Sequence, residues 1–203
     1  MLSGRSNYVR TEKGGALSQA EVPLDGLGPP TKPGLDVELR VGQPDDAPRL
    51  AAVFVSAWRG AYSGVVSEET LKRLDEDEIA AWLETLVGSR DSTTVVAETD
   101  ERDLLGFCRF GPDPDDSRFG HIFSLYVSAP SSGRGIGHRL LAGALEDLSR
   151  RGLDPVTLWV FEENTPARRF YATFGFCPDG ARRVEPEYDA EEIRLRREAK
   201  STA

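Results

Sequence analysis

The sequence is poor in the residues that build disulfide and metal sites. Its 203 residues include two cysteines, Cys108 and Cys177, and two histidines. With no Cys-x-x-Cys and no Cys/His cluster, neither a disulfide scaffold nor a zinc site is supported. No apolar run approaches the ~18 residues that cross a bilayer, and no apolar stretch follows the first basic residues as in a secretory signal. We therefore expect a cytoplasmic protein with no membrane partner.

Lysine is also scarce, and basic residues are fewer than acidic ones. Only 4 of the 25 basic residues are lysine, and 34 acidic residues bring the formal net charge to −9. Nucleic acid is therefore not expected as a partner, because phosphate binding needs a basic face. At ~100–200 residues per domain, the length is most simply accounted for by one domain.

The composition changes along the chain and suggests where this domain lies. Residues 1–34 mix proline and glycine without a lasting hydrophobic period, so they are predicted to form a disordered or flexible tail. Periodic apolar patterns begin after residue 34, which places the domain at residues 35–198. Residues 199–203 are predicted to be a short C-terminal tail.

Strand and helix patterns alternate within the domain and predict an α/β fold with a mixed sheet. Strands are predicted near 36–41, 93–97, 104–110, 119–127, 156–161 and 191–197. Helices are predicted to start near 44, 67, 75, 135 and 164. In the strand at 119–127, strict alternation places His121, Leu125 and Val127 on one face. The same alternation places Ile122 and Tyr126 on the other.

A glycine-rich loop follows that strand and is the most informative segment. Leu125, Tyr126 and Val127 lead, through Pro130, to the run Ser132-Gly133-Arg134-Gly135-Ile136-Gly137-His138. Glycines let backbone N–H groups approach an anion closely, and a helix N-terminus adds positive charge, so the segment is typical of a pyrophosphate cradle. The spacing fits neither the dinucleotide fingerprint nor a Walker loop, which weakens a nucleotide-binding function. A loop that merely turns the chain is the simpler alternative.

This loop resembles the acetyl-CoA loop of the GCN5-related N-acetyltransferases (GNAT), with the pattern Gln/Arg-x-x-Gly-x-Gly/Ala. A second motif of that family, Asn-x-x-Ala-x-x-Phe-Tyr…Gly-Phe, resembles residues 164–176, which begin at Asn164 and include Tyr171. Residues 58–71 resemble the first helical hairpin of many members. Two spaced motifs in the right order are more specific than either alone. The resemblance covers about Asp36 to Arg197.

The resemblance implies a twisted, mostly antiparallel central sheet flanked by helices, and acetyl-CoA as cosubstrate. It implies transfer of the acetyl group by direct attack of a primary amine on a small molecule or peptide. A homodimer is also suggested. Ser132 departs from the family pattern, so pyrophosphate contacts would rest on backbone amides and Arg134. The residues implied to contact acetyl-CoA are Leu125, Tyr126, Val127, Ser132, Gly133, Arg134, Gly135, Ile136, Gly137, His138 and Asn164.

Two residues are implied to move protons, and each has a structural alternative. Tyr171 occupies the general-acid position of the family, yet it also continues a core stripe of its helix. His121 stands where many members have a glutamate, and its reference pKa near neutrality suits a base, yet it fits a buried structural histidine equally well. Asn164 fits a helix cap as well as a cofactor contact. Trp58 and Tyr62 are weaker candidates for an acceptor pocket, with a core role favoured for Trp58.

The acceptor amine cannot be read from the sequence. Without an unambiguous carboxylate base, a catalytically silent module that binds CoA or a peptide on the same fold is the alternative function.

Overall fold

The computed structural model describes residues 35–61, 68–185 and 190–199. The predicted N-terminal tail lies outside these residues, as does all but the first residue of the predicted C-terminal tail. The strands are β1 Glu38–Val41, β2 Thr93–Glu98, β3 Leu104–Pro112, β4 Gly120–Val127, β5 Val156–Phe161, β6 Cys177–Glu185 and β7 Ala190–Arg197. The helices are α1 Ala47–Ala61, α2 Glu68–Lys72, α3 Glu76–Val87, α4 Ile136–Arg150 and α5 Thr165–Thr173.

The seven strands form one sheet in the order β1-β2-β3-β4-β5-β7-β6. All neighbouring strands are antiparallel except β4 and β5, which are parallel and are connected through α4. The prediction of a mixed, mostly antiparallel sheet is confirmed. Within the described ranges, no helix combines the length and apolar character that crossing a membrane requires.

Each face of the sheet is covered by its own hydrophobic core. On one face, α4 and α5 pack over residues that include Leu125 and Leu158. On the other face, α1 and α3 pack over residues that include Phe107 and Tyr126. The sheet therefore lies between two helical layers, and a side chain's place in a strand decides which layer it meets.

Local capping sets the helix boundaries where the sequence predicted them. The Asp75 side chain caps α3 by accepting hydrogen bonds from the backbone N–H groups of Asp77 and Glu78. The Asn164 side chain caps α5 in the same way, through the Ala167 N–H. Gly152 and Gly175 follow α4 and α5 with positive φ, the conformation that glycine adopts most readily after a helix.

Three features of the sheet differ from the prediction. The strand β6 was not predicted, because it is an edge strand whose residues are mostly exposed and show no apolar pattern. Val41 continues the alternation of Val37 and Leu39, which predicts a side chain on the buried face, yet it is 57% exposed at the end of β1. In β4 the strict alternation is wrong: Ile122 shares the core of Leu125 and Val127, and His121 therefore belongs to the opposite face.

A β-bulge in β4 causes the change of face. Arg109 of β3 pairs with Ser124, and the next residue, Phe110, pairs with Ile122, so Phe123 has no partner in β3. One extra residue shifts the alternation by one position, and every residue before it changes face.

Candidate active site

The strands β4 and β5 separate from each other along most of their length. They pair only at Gly120–Ile122 with Val156–Leu158, three residue pairs in all. Beyond Ile122, β4 continues to Val127 paired only with β3, while β5 continues paired only with β7. Backbone N–H and C=O groups that would normally pair in a sheet interior thus line an opening between the two strands.

The bulge at Phe123 lies where this opening begins. A bulge leaves one residue outside the hydrogen-bonded ladder and redirects its neighbours, which is why bulges are frequent beside active sites. The backbone of Ser124 to Val127, just beyond it, forms one wall of the opening, and Trp159 to Phe161 form the other. Leu125, Tyr126 and Val127, implied by the sequence to contact acetyl-CoA, all lie in the first wall and are buried.

The glycine loop joins the end of β4 to the start of α4. Gly133 and Gly135 have φ of 75° and 81°, the left-handed conformation that other residues adopt only at a cost. The first helical hydrogen bond runs from the Arg139 N–H to the Gly135 carbonyl. The N–H groups before Arg139 therefore have no acceptor within the helix and point out of its N-terminus, where the helix dipole also favours an anion.

Two side chains beside the opening hold buried polar atoms without a partner among the described residues. They are the Nε of Arg134, in the loop, and the Nδ2 of Asn164, after β5. Asn164 is 4% exposed, and its Oδ1 is already used in capping α5. A buried donor without an acceptor is costly, so these atoms fit a ligand that supplies acceptors. With the loop's N–H groups, they fit the acceptor-rich phosphates and amides of CoA.

Tyr171 lies on α5 and is fully buried in the core that α4 and α5 share. Its ring contacts Phe170 and Phe176, with centroids 5.2 and 5.9 Å away. Leu125 and Val127 of the opening's wall belong to the same core. The structure thus places Tyr171 on the α4–α5 side of the opening.

His121 lies at the root of the opening on the opposite face. It is 2% exposed, and its Nδ1 is 2.7 Å from the hydroxyl of Thr157, its cross-strand neighbour in β5. The carboxylate of Asp113 accepts a short hydrogen bond from the same hydroxyl and lies 3.4 Å from Nδ1. Burial lowers the pKa of His121, and the nearby Asp113 carboxylate only partly offsets this effect. The imidazole is therefore neutral at pH 7 and able to accept a proton.

The matches to known proteins agree with this geometry. The model of the family described as "Acetyltransferase (GNAT) family" matches residues 53–176. The chain belongs to the GNAT acetyltransferase family. It is 30% identical over 148 residues to the "Probable N-acetyltransferase Rv2775" of Mycobacterium tuberculosis, covering 71% of this chain and 82% of that protein.

Other relatives extend the GNAT comparison. The mycothiol acetyltransferase of Rhodococcus erythropolis is 27% identical over 158 residues, covering 68% of this chain; the match spans about half of that protein, 53%. The PaiA N-acetyltransferase of Thermoplasma acidophilum, solved with coenzyme A, superposes with a TM-score of 0.66 at 19% identity, over 81% of this chain and 100% of that one. The structural likeness establishes the GNAT fold, and the GNAT family uses acetyl-CoA.

The remaining predicted residues lie in different parts of the structure. Ser132, Gly133, Ile136 and Gly137 are buried in the loop and the first turn of α4. His138 is exposed, and its ring packs at 4.7 Å from that of Phe174, at the end of α5. Trp58 is fully buried and stacks on Phe54, at 5.3 Å. Tyr62 lies outside the described residues.

Two residues of the site were not predicted. The sequence assigns Asp113 no role, and Thr157 appears in it only as part of the strand predicted at 156–161. They meet His121 because β3, β4 and β5 are neighbours at this end of the sheet. A period-2 pattern cannot show such convergence, because the two residues are 44 positions apart.

Proposed function

We propose that this chain is an acetyl-CoA-dependent N-acetyltransferase that acetylates a primary amine of a small molecule or peptide by direct attack. The observation that carries the proposal is the opening between β4 and β5, which begins three residue pairs from the start of their pairing. The glycine loop after β4 and the Asn164 cap after β5 both lie at its wide end, because the two strands are parallel. Residues 35–198 form the catalytic domain of this proposal.

Acetyl-CoA supplies the acetyl group as a thioester. Arg134, Asn164 and the N-terminal N–H groups of α4 hold the cosubstrate, and His138, in the first turn of α4, is a further contact. The outward-facing N–H groups of β4, in the wall from Ser124 to Val127, are the donors available to the thioester carbonyl. Preorganised donors of this kind stabilise charge that develops on an oxygen during acyl transfer.

His121 takes the proton that the amine loses. A lysine-like amine has a pKa near ~10.4 and arrives mostly protonated, so a base must act, directly or through water. His121 is suited to the role because burial lowers its pKa and keeps it neutral at pH 7. Turnover at low amine concentration should therefore rise with pH through a pKa below the ordinary value of 6.5.

Tyr171 gives a proton to the leaving thiolate. A phenol with a pKa near ~10 is a weaker acid than a thiol near ~8.5, so the transfer is uphill by about 2 kcal/mol at these reference values. Proximity to the sulfur therefore matters more than a shifted pKa. The position of Tyr171 in the same core as Leu125 and Val127 supports this role.

The proposal is tested by thiol release from acetyl-CoA over a panel of amines, with Tyr171→Phe beside the parent. The ring remains, so the packing against Phe170 and Phe176 survives. We expect turnover to fall by roughly 10²–10⁴, with CoA affinity unchanged. A purely structural tyrosine would show the reverse, a stability loss of about 0.5–1.5 kcal/mol with near-normal turnover. That result, or no thiol release with any amine, would contradict the proposal.

A further inference from the structure

Three buried polar side chains meet at the root of the opening. Asp113 directly follows β3, and His121 and Thr157 lie near the starts of β4 and β5; the three are 5%, 2% and 1% exposed. The Thr157 hydroxyl lies between the other two, 2.7 Å from the Nδ1 of His121 and in a short hydrogen bond with the Oδ2 of Asp113. Because the three side chains are almost wholly buried, water competes little for the hydrogen bonds among them.

The direction of each hydrogen bond follows from counting protons. Burial alone would raise the pKa of Asp113, but the neighbouring His121 and hydrogen bonds from Thr157 and the Asp115 N–H outweigh this effect and hold that pKa below its ordinary value. The carboxylate is therefore ionised and only accepts. The single hydroxyl proton of Thr157 goes to Asp113, so the Thr157 oxygen must accept from His121. Nδ1 then carries the proton, and Nε2 holds a free lone pair.

We propose that Asp113 and Thr157 are positioning residues that fix His121 as the Nδ1–H tautomer and so make Nε2 the proton acceptor for the amine. The inference rests on the proposed function of His121 as the base. As the amine nitrogen forms its bond to the acetyl carbon, its N–H bond breaks and an Nε2–H bond forms. The resulting imidazolium faces the Asp113 carboxylate, 3.4 Å from Nδ1, which offsets its charge.

Among the described residues, three charged side chains act on the pKa of His121. Asp113 and Asp115 face it from the loop between β3 and β4, and Arg183 from β6. The two carboxylates raise the pKa of His121 and Arg183 lowers it. The ring of Phe123, with its centroid 4.9 Å away, packs against the imidazole and is uncharged.

The variant Asp113→Asn tests the direction of the hydrogen bonds. The Oδ1 of Asp113 accepts from the backbone N–H groups of Asp115, at 2.8 Å, and Asp116, at 3.3 Å. In the variant the amide oxygen must keep this place, so the NH₂ group faces Thr157 and donates to it. The Thr157 hydroxyl then donates to Nδ1, and His121 becomes the Nε2–H tautomer, which cannot accept a proton at Nε2.

The tautomer is measured directly by ¹H–¹⁵N NMR of the ring nitrogens in the full ¹⁵N-labelled chain. The sequence has only two histidines, so a His138→Gln sample assigns the His121 signals. We expect the parent to show the Nδ1–H form and Asp113→Asn the Nε2–H form. An Nε2–H form in the parent, or an unchanged tautomer in the variant, would overturn the inference.

Kinetics supply the second readout, with a matched pair at Thr157. We expect kcat/KM for the amine to fall at least ~10²-fold in Asp113→Asn and Thr157→Val, while KM for acetyl-CoA is unchanged. Thr157→Ser keeps the hydroxyl, so it should retain the parent's turnover and its His121 tautomer. The Val and Ser pair therefore tests the inference even if Asp113→Asn fails to fold. Equal activity of the Val and Ser variants would overturn the inference.

The proposed function can be refuted independently of the inference about the His121 tautomer. If the parent releases no thiol with any amine, the function is wrong, and the NMR result still decides the tautomer. If thiol release persists in His121→Gln with the parental pH profile, transfer stands, but the role of Nε2, and with it the inference, is overturned.

Discussion

Two glycines at opposite ends of α4 offer a matched test of the cofactor cradle. Gly135 precedes the helix with φ +81°, and Gly152 follows it with φ +73°. A Cβ added at either position would meet no atom within 4 Å. Replacing each by alanine therefore introduces the same left-handed strain and no clash within the protein, and only Gly135 lies in the glycine loop.

The expected stability losses are small and equal. An alanine in the left-handed conformation costs about 1–2 kcal/mol, and the smaller entropy of the unfolded alanine chain offsets part of this. For a chain of this size, 1 kcal/mol lowers Tm by about 2–4 °C. Gly135→Ala and Gly152→Ala should both melt a few degrees below the parent, measured by circular dichroism.

CoA affinity should separate the two variants. At Gly135 the new methyl group projects into the space where a phosphate would approach the N–H groups of the loop. We expect Kd for CoA, measured by isothermal titration calorimetry, to rise at least tenfold, about 1.4 kcal/mol, in Gly135→Ala only. Equal CoA affinities in the two alanine variants would refute the assignment of the loop to the cofactor.

Further predictions concern the fold and the thiols. Arg40 bridges the buried carboxylates of Asp46 and Glu98, at 2.7 and 2.8 Å, and hydrogen bonds from Arg40 lower the pKa of each to about 2. Because these pKa values are depressed, the stabilisation is present at neutral pH and is lost as pH falls towards 2. Arg40→Met should therefore lower Tm by several degrees at pH 7 and by much less near pH 2; a pH-independent loss would contradict this explanation. Gly106→Ala should destabilise the protein by about 1–3 kcal/mol in urea unfolding, because its Cβ would lie 2.7 Å from the Tyr126 carbonyl oxygen; an unchanged midpoint would refute the close packing. With a thiol reagent, the native protein should show one fast thiol, exposed Cys177, because burial encloses Cys108 and raises its pKa; two fast thiols would be inconsistent with the core around β3.

The sequence predicted those elements whose signals are local. The strand β5 was predicted with its observed limits, because its ends are marked by turn residues and its interior is apolar. The starts of α3 and α5 were predicted near 75 and 164. The predicted cap at Asn164 is confirmed, and the structure adds a cap at Asp75. In each case the residues that determine the element lie within or next to it.

The elements that were missed depend on partners distant in the chain. The strand β6 is held by its ladder with β7 and has little buried surface, so no apolar period identifies it. The bulge at Phe123 is defined by the pairing of β4 with β3, and nothing in residues 119–127 alone indicates it. For the same reason the face of His121 was predicted wrongly.

The bulge has a consequence for how the proposed acid and base cooperate. Tyr171 belongs to the core under α4 and α5, whereas His121 lies on the other face of the sheet. The strands β4 and β5 separate between these two faces, beyond Ile122 and Leu158. An amine that approaches from the side of His121 can lose its proton there, while the thiolate leaves on the side of Tyr171. Neither proton has to cross the sheet, and one residue need not serve as both base and acid.

Cys108 is enclosed in the core and Cys177 lies in the edge strand β6, so neither thiol is placed to carry the acetyl group. In the proposed direct transfer, amine and thioester are bound together when the new bond forms, so a base and an acid on different faces can act in the same step.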